Sequence, residues 1–384
     1  MEIYFDNAAT TKVSEKVAQA MLHMLTHNYG NPSSLHQKGF EAEKAIENSR
    51  QIIAQTLKVN KKEIYFTSGG TEANNIAITG VTTSNKRGGK HILVSAIEHP
   101  SVKETVRHLE TIGYEVESIP TDGMGYIQIE ALEQLIRQDT LLVSIMYVNN
   151  EIGTIQDMAT IGKLIKTINP KTLFHVDAIQ AFGKYILTPG KDQIDIMTIS
   201  GHKLHGPKGI GAIYIKDGTK VAPLFHGGRQ ESGIRSGTEN VSGIIGFGMA
   251  TEEAYHQLQD HRTHIEGIKE HMIMRLTNDV PDITFNGDIE KGAYHILNMG
   301  VSGVKSEVLL HALEELEIYV STGSACSSKK KNHSITLSAL NLTHDEKDNA
   351  IRMSFSKYNT LDEVDQFIEQ LNKLLPILRR FKRK

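Results

Sequence analysis

The chain has 384 residues, of which 39% are hydrophobic, enough for a sizeable core divided between one large and one smaller domain. Charged residues make up 23% and the formal net charge is -3, so the surface as a whole gives no electrostatic reason to bind nucleic acid or an anionic membrane. No apolar run approaches the roughly 20 residues of a membrane helix, and the opening MEIYFDNAATTKV lacks the basic-then-apolar order of a signal peptide, so a cytoplasmic protein is expected.

In chain order, the first elements are helical patterns at 14–27 and 35–58. From about residue 63 a regular alternation begins. EIYFTS reads as a strand and TEANNIAITGV as a helix; HILVSA (91–96) is a strand, followed by a helix over about 100–112 and the strand YEVESI. A helix over about 128–138 leads into the apolar run LLVSIMYV, helical ATIGKLIKTI leads into TLFHV, and IDIMTIS and IGAIYI complete the set. Short apolar runs separated by amphipathic helices predict crossover units and a buried, mainly parallel sheet, an α/β architecture. Around residue 257 the character changes: HQLQDHRTHIEGIKEHMIMRL is a long helical pattern rich in charge and histidine. Strand YHILNMGV, helix SEVLLHALEEL, strand IYVS, a loop, a helix, strand IRMSF and a last helix then form a smaller α+β layer.

In open α/β sheets, ligands sit outside the C-terminal ends of the strands, and the unusual polar residues cluster there. SGGTEANN follows EIYFT, Glu98-His99 follow HILVSA, Asn149-Asn150-Glu151 follow LLVSIMYV, Asp177 and Gln180 follow TLFHV, and Ser200-Gly201-His202-Lys203 follow IDIMTI. Each alone reads as a cap or turn; five at successive strand ends would converge on one rim. Ser68-Gly69-Gly70-Thr71 lies between a strand and a helix, where glycines and a helix N-terminus let backbone N–H groups meet an anion. It lacks the Gly-Lys-Ser/Thr ending of a Walker loop and is not GxGxxG, and alone it is explained by a helix cap. Asp177 needs a partner if buried; it either caps a following helix or keeps a pyridinium nitrogen protonated. Lys203, in SGHKLHGPKGIG just past an apolar strand, is placed for burial. A buried amine has a lowered pKa and attacks carbonyls, as a Schiff base with an aldehyde cofactor requires.

The motifs YFDNAATT (4–11), GNPSSLH (30–36), FTSGGTEANN (66–75), EHPSV (98–102), VNNEIGTIQ (148–156), HVDAIQ (175–180), SGHKLHGPKGIG (200–211), RSGTEN (235–240), STGSACSS (321–328) and IRMSFS (351–356) run nearly end to end. Taken in order, they resemble the cysteine desulfurases of the NifS/IscS type, in the class V aminotransferase group of fold-type I pyridoxal phosphate (PLP) enzymes. The resemblance implies PLP held by Lys203, which also serves as base for the substrate α-proton. It implies Asp177 as partner of the ring nitrogen, Gln180 as neighbour of the ring oxygen, and His99 as the residue that stacks on the ring and handles protons. Gly70, Thr71, Ser200 and His202 are implied in the phosphate seat. Thr238 is implied in reaching the phosphate of a neighbouring subunit, hence a homodimer. Asn150, beside the cofactor, and Arg352 are implied as the substrate clamp, with Arg352 holding the α-carboxylate by a bidentate pair. The expected division is a three-layer PLP-binding domain over 14–260, and a small α+β domain from 1–13 and 261–384 that carries a catalytic cysteine loop at about 322–333.

Cys326 is the single cysteine, which excludes an internal disulfide and a multi-cysteine zinc site within one chain. It lies in STGSACSSKKKNHS, small and basic residues without apolar periodicity, a composition that suggests a mobile exposed loop. Lys329 to Lys331 would favour the thiolate; the plainer reading, a buried structural cysteine, finds no flanking core residues. In the mechanism that the resemblance implies, L-cysteine displaces Lys203 from PLP and Lys203 removes the α-proton. The Cys326 thiolate then attacks the substrate sulfur, and alanine leaves. The persulfide passes to an acceptor: an iron–sulfur scaffold, a tRNA-thiolating enzyme or a thiamine-pathway protein. A selenocysteine lyase and a class V aminotransferase are the alternatives on the same fold, and the latter would not need Cys326. A non-catalytic scaffold would need none of Lys203, Asp177, His99, Arg352 and Cys326.

Other residues read plainly. His261, His264 and His271 sit at helical spacing in a charged helix and read as solvated. His202 and His205 flank Lys203 without a carboxylate at fixed spacing, so no metal is expected. Met21 and Met24 read as core packing, and the tail RRFKRK as a solvated helix end. Arg229, Thr322 and Phe355 depart from the family pattern and touch none of the roles above.

Overall fold

The computed structural model describes residues 2–85, 88–322 and 334–381. The chain opens with β1 (Ile3–Tyr4) and two helices, α1 (Glu15–Thr26) and α2 (Gln37–Leu57). Each helix is started by a side chain that accepts a hydrogen bond from its first turn, Ser14 for α1 and His36 for α2. The alternating region follows as β2 (Ile64–Thr67), α3 (Gly70–Ser84), β3 (His91–Ser95), α4 (Pro100–Thr111), β4 (Glu115–Ile119), α5 (Ile129–Leu135), β5 (Thr140–Met146), α6 (Met158–Ile168), β6 (Leu173–Asp177), β7 (Ile196–Ser200) and β8 (Gly211–Ile215). Its strands form one sheet in the order β2-β8-β7-β6-β5-β3-β4. Neighbours from β7 to β4 run parallel, and β8 alone runs against its neighbours.

Side chains of a strand point alternately to its two faces, and here both faces are covered. Leu93, Val143, Phe174, Val176, Met197 and Ala212 pack with Val17, Ile53 and Ile161 of α1, α2 and α6. Their neighbours Ile92, Val94, Leu142, Ile196 and Ile213 pack with Ile76 and Val102 of α3 and α4. Burial on both faces removes polar alternation, which is why these strands read as continuous apolar runs.

The next helix, α7 (Val241–His256), is an element that the sequence pattern does not announce. Its VSGIIGFGMATEEAYH is apolar on most sides rather than along one stripe. It lies against α1 and α2, and its glycines permit the approach. A Cβ on Gly248 would stand 2.6 Å from Ser49 Oγ, and one on Gly246 2.8 Å from the Met21 side chain. Met24 is buried, and Met21 packs at the edge of the core between the large sheet and α1, α2 and α6, so both serve packing as expected.

The remaining elements are α8 (Leu258–Asp279), β9 (Ile283–Asn286), β10 (Ile296–Val301), α9 (Ser306–Glu314), β11 (Ile318–Tyr319), β12 (Ser321–Thr322), α10 (Ile335–Ala339), α11 (His344–Asp348), β13 (Ala350–Ser354) and α12 (Leu361–Leu378). The antiparallel sheet β12-β13-β10-β9 shares a second core with α8, α9 and α12. The α8 histidines are not simply solvated: His271 Nε2 meets Asp365 Oδ1 at 2.8 Å and His264 Nε2 meets the Asn359 carbonyl at 2.9 Å. They tie α8 to α12 and its lead-in, because a helix face that is polar in sequence becomes internal when a second helix covers it. Among the described residues, no helix is long and apolar enough to cross a membrane.

The N-terminal segment joins the two cores. β1 pairs in parallel with β11, and Ile3 and Phe5 enter the second core, Phe5 edge-on to Phe355 and Phe367. The chain then crosses back. Asn7 Nδ2 donates to the Ser354 carbonyl at 2.9 Å, the Ala8 N–H to Ser354 Oγ at 2.7 Å, and Thr11 Oγ1 to the His202 carbonyl at 3.0 Å.

Candidate active site

The five polar segments noted in the sequence stand at the carboxyl ends of β2, β3, β5, β6 and β7, where a cavity of about 330 Å³ opens. Gly70, Thr71, His99, Asn150, Asp177, Gln180, His202, Lys203 and Arg352 line it. Ser200 is 1% exposed and forms no part of its wall. Thr238 is exposed on the segment entering α7 and lies off the cavity. Cys326 lies outside the described residues, as do Lys329 to Lys331. The flanks of their segment do reach the site: Ser321 and Thr322 line the cavity, and Ser334 donates to Glu151, next to Asn150.

At one end of the cavity, Gly69 (φ 149°) precedes α3 and has no side chain to cap it. A Cβ on Gly70 would stand 2.1 Å from Ile179 Cδ1, so the start of the helix lies close against the residues after β6 and a side chain there would displace the Ile179 methyl. The helix therefore presents N–H groups and the positive end of its dipole to the rim, an arrangement suited to an anion. Nearby polar groups are unspent: Ser200 Oγ and Gln180 Oε1 are buried without a hydrogen-bond partner among the described residues.

Asp177 closes β6 and is 4% exposed. No helix follows it directly, so it is not a helix cap; its Oδ1 accepts from the Ile179 N–H at 3.0 Å within a turn. Oδ2 accepts from Asn74 Nδ2 at 2.8 Å. Asn74 is oriented by Thr198 Oγ1, which donates to its Oδ1 at 2.6 Å, and it also donates to Ser101 Oγ at 2.9 Å. Ser101 Oγ meets His99 Nδ1 at 2.8 Å. One chain of bonds thus fixes both the carboxylate and the imidazole. Burial raises the Asp177 carboxyl against the pull of its donors. Burial also holds His99 below the usual imidazole range, opposed by Asp177 and reinforced by Lys203. His202 is pushed down to about 4, by burial first and Lys203 second.

Lys203 is half-buried in the single 3-10 turn Gly201–Lys203, and its amine donates to the carbonyls of Ala8 and Ala9, each at 2.6 Å. Gln180 Nε2 donates to the same Ala8 carbonyl at 2.9 Å. Arg352 reaches in from β13, with Nη2 on Asp6 Oδ1 at 2.6 Å and Nη1 on the Asn150 carbonyl at 2.9 Å. Its Nε is buried and has no partner among the described residues. No cluster of three metal-ligating side chains occurs among the described residues.

The geometry adds residues that sequence reasoning does not single out as site members. Asn74 lies in the polar segment after β2, and Glu98 and Ser101 in EHPSV after β3; the sequence points to these segments, and to Glu98 as a polar strand end, without giving any of the three a role. Ala8 and Ala9 act through backbone carbonyls, which leave no trace in side-chain chemistry. Glu98 is buried, accepts from the Met146 N–H at 2.6 Å, and is pushed up to about 8 by burial first and the Asp177 charge second.

The family model for class-V aminotransferases matches residues 3–367. The chain is 41% identical over 377 residues to cysteine desulfurase IscS of Methanosarcina thermophila, covering 98% of this chain and 93% of that one. Among solved structures it is similar to a NIFS-like protein, with a TM-score of 0.93 and 37% identity over 98% of this chain and 100% of that one. It is also similar to SspA in complex with cysteine, with a TM-score of 0.80 and 33% identity over 94% of this chain and 100% of that one. Matched in this way across nearly its whole length, the chain belongs to the class-V aminotransferase family, in its NifS/IscS group.

Proposed function

We propose that this chain is a cysteine desulfurase. It removes sulfur from L-cysteine, releases L-alanine, and holds the sulfur as a persulfide on Cys326 for an acceptor protein, an iron–sulfur scaffold or a tRNA-thiolating enzyme. The observation that carries this reading is the make-up of one cavity. Lys203, His99, Asp177 and Arg352 line it together with Thr322, which leads into the segment of Cys326. Similarity to a protein named for this activity, and to one solved with cysteine, supports it.

The cofactor in this reading is PLP, and the residues present fit it. The uncapped start of α3 at Gly70 and Thr71, with His202, suits its phosphate, and the unpartnered Ser200 hydroxyl lies just beneath Gly70 rather than in the cavity wall. Asp177 suits the ring nitrogen, Gln180 the ring oxygen, and His99 the ring face, with Asn150 beside it. Lys203 would hold the aldehyde carbon. When bound, the cofactor supplies an electron sink for the substrate carbon that loses its proton. Thr238, exposed in one chain, would reach a phosphate only in a second copy, and the exposed Leu25, Tyr29, Leu35 and Phe40 suit a homodimer interface. The second core, which gathers Ile3 and Phe5 with Ile265 to Leu375, supports a division into a large domain over 14–260 and a small one from 1–13 and 261–384.

The chain's own groups then have distinct tasks. Arg352, anchored by Asp6 and the Asn150 carbonyl, holds the substrate carboxylate. The Lys203 amine takes the α-proton. Asp177, raised by burial, is held in its charged form when a protonated nitrogen faces it. His99 is neutral near pH 7 and so able to accept and return a proton. Cys326 takes the sulfur: an S–S bond forms as the substrate C–S bond breaks, and a proton delivered to the carbon completes alanine.

The test is sulfide and alanine release from L-cysteine with a reductant, for the native chain and Cys326→Ala. The native protein should be yellow and make both products; the variant should stay yellow and make almost no sulfide. Full activity in the variant would remove the persulfide from the mechanism and make a transaminase or β-lyase the leading reading.

A further inference from the structure

The guanidinium of Arg352 meets the cavity with an acid already bonded to it. Arg352 lines the cavity, while Asp6, bonded to its Nη2 at 2.6 Å, does not. Asp6 therefore stands behind the arginine rather than in the wall that meets a ligand. Its place is set by the backbone. Asp6 bridges Ser354, two positions after Arg352 on β13. Its carbonyl accepts from the Ala9 N–H at 3.0 Å, closing the turn that carries Ala8 and Ala9 to Lys203. The carboxylate is thus held where it is by pairing that does not involve the Arg352 side chain.

The other groups around the guanidinium do not duplicate this contact. Nη1 is taken by the Asn150 carbonyl, which is neutral. A second acid, Glu151, acts on Arg352 through space, and its own hydrogen bonds go to Ser334 and Thr336. Among the described residues, Asp6 is the acid in direct contact with Arg352. A guanidinium that already carries a carboxylate attracts a second one less than a free guanidinium does, and the two acids repel each other across it. L-Cysteine and its product L-alanine bear the same α-carboxylate, so a carboxylate clamp grips both alike. Binding of that shared kind lowers KM without helping the chemical step, and it slows the departure of product.

We propose that Asp6 is a positioning residue that sets the strength of the Arg352 clamp. It holds Nη2 in place and offsets part of the guanidinium charge, so that the site grips an α-carboxylate weakly enough for L-alanine to leave. The inference rests on the reading of Arg352 as the holder of the substrate carboxylate.

The test compares L-alanine with L-alaninamide, which keeps the amine and lacks the carboxylate. Each is titrated into the PLP-loaded full-length chain and read by the visible band, a binding signal that needs no turnover. Asp6→Asn keeps an oxygen for Nη2 and removes the charge. It should bind L-alanine about tenfold more tightly and L-alaninamide as the native chain does, and its KM for L-cysteine should fall as well. A merely distorted site would weaken both ligands together. Asp6→Ser removes the charge with a smaller group and should raise the ratio of the two affinities in the same direction, so the proposal does not hang on one variant folding. A ratio that is unchanged or lower in the variants that take up PLP would overturn it. Arg352→Gln separates the proposal from the reading beneath it. If that variant keeps the native ratio, Arg352 is not the clamp. If it loses the preference for L-alanine while the Asp6 variants gain none, the clamp stands and the role of Asp6 falls.

Discussion

Burial and hydrogen bonding pull Asp177 in opposite directions, and burial prevails. Such a carboxyl is poised to gain from a cation brought against it. Asp177→Asn keeps the shape and removes that gain. A charge-assisted hydrogen bond contributes about 1.5–3 kcal/mol, so PLP affinity should fall about ten- to a hundredfold, measured by titrating the cofactor-free chain. Glu98 shows the same burial without a donor set to match. Its carboxyl is raised from 4.5 to about 8, so over that interval the unfolded chain ionises it and the folded chain does not. Its contribution to stability is whole at low pH and is lost as pH rises through about 8. Glu98→Gln preserves an acceptor for the Met146 N–H and cannot ionise. Its melting temperature should gain on the native value between about pH 5 and pH 9, and a constant difference would contradict this. At this scale the sequence is legible where a side chain does the chemistry, as at Lys203 and Asp177. It is opaque where a backbone carbonyl does it, as at Ala8 and Ala9.

Helices α7 and α8 are neighbours in sequence and differ in what they face. In α7, Gly248 is the contact surface itself, with Ser49 at 2.6 Å from any Cβ added there. In α8, a Cβ on Gly267 would meet nothing within 4 Å. Gly248→Ala should therefore cost about 1–3 kcal/mol by overpacking, although alanine is the better helix former. Gly267→Ala should stabilise by about 0.5–1 kcal/mol. Urea unfolding of both variants checks the pair, and equal signs would refute the packing argument. The same contrast explains why α7 escapes a reading by periodicity. A helix buried on most of its circumference has no apolar stripe to detect, whereas the strands betray themselves by length and the turn residues that bound them. The double-sided burial of β3, β5 and β7 is what makes the parallel sheet legible.

Across the whole molecule, the two cores meet through a short N-terminal crossing. Phe5 is fully buried in the second core, while Ala8 and Ala9, a few residues on, hold the Lys203 amine. Phe5→Ala should cost about 3–5 kcal/mol in a denaturant series. It should also loosen PLP retention, because the crossing that positions both carbonyls loses its anchor. Stability lost with retention unchanged would show that Asn7 and Ser354 hold the crossing on their own. This arrangement is the least legible part of the fold: β1 is two residues long and its partner, β11, is as short and more than three hundred positions away. The crossing also sets an order of assembly. Phe5 and Ser354 are bonded across 349 positions. On a ribosome adding ~5–20 residues per second, Phe5 waits about 20–70 s for that partner to emerge. Until then its ring is an uncovered apolar group on the nascent chain. A chain released before β13 would hold every strand of the large sheet and still lack the Ser354 contacts to Asn7 and Ala8 that help hold the crossing at Lys203.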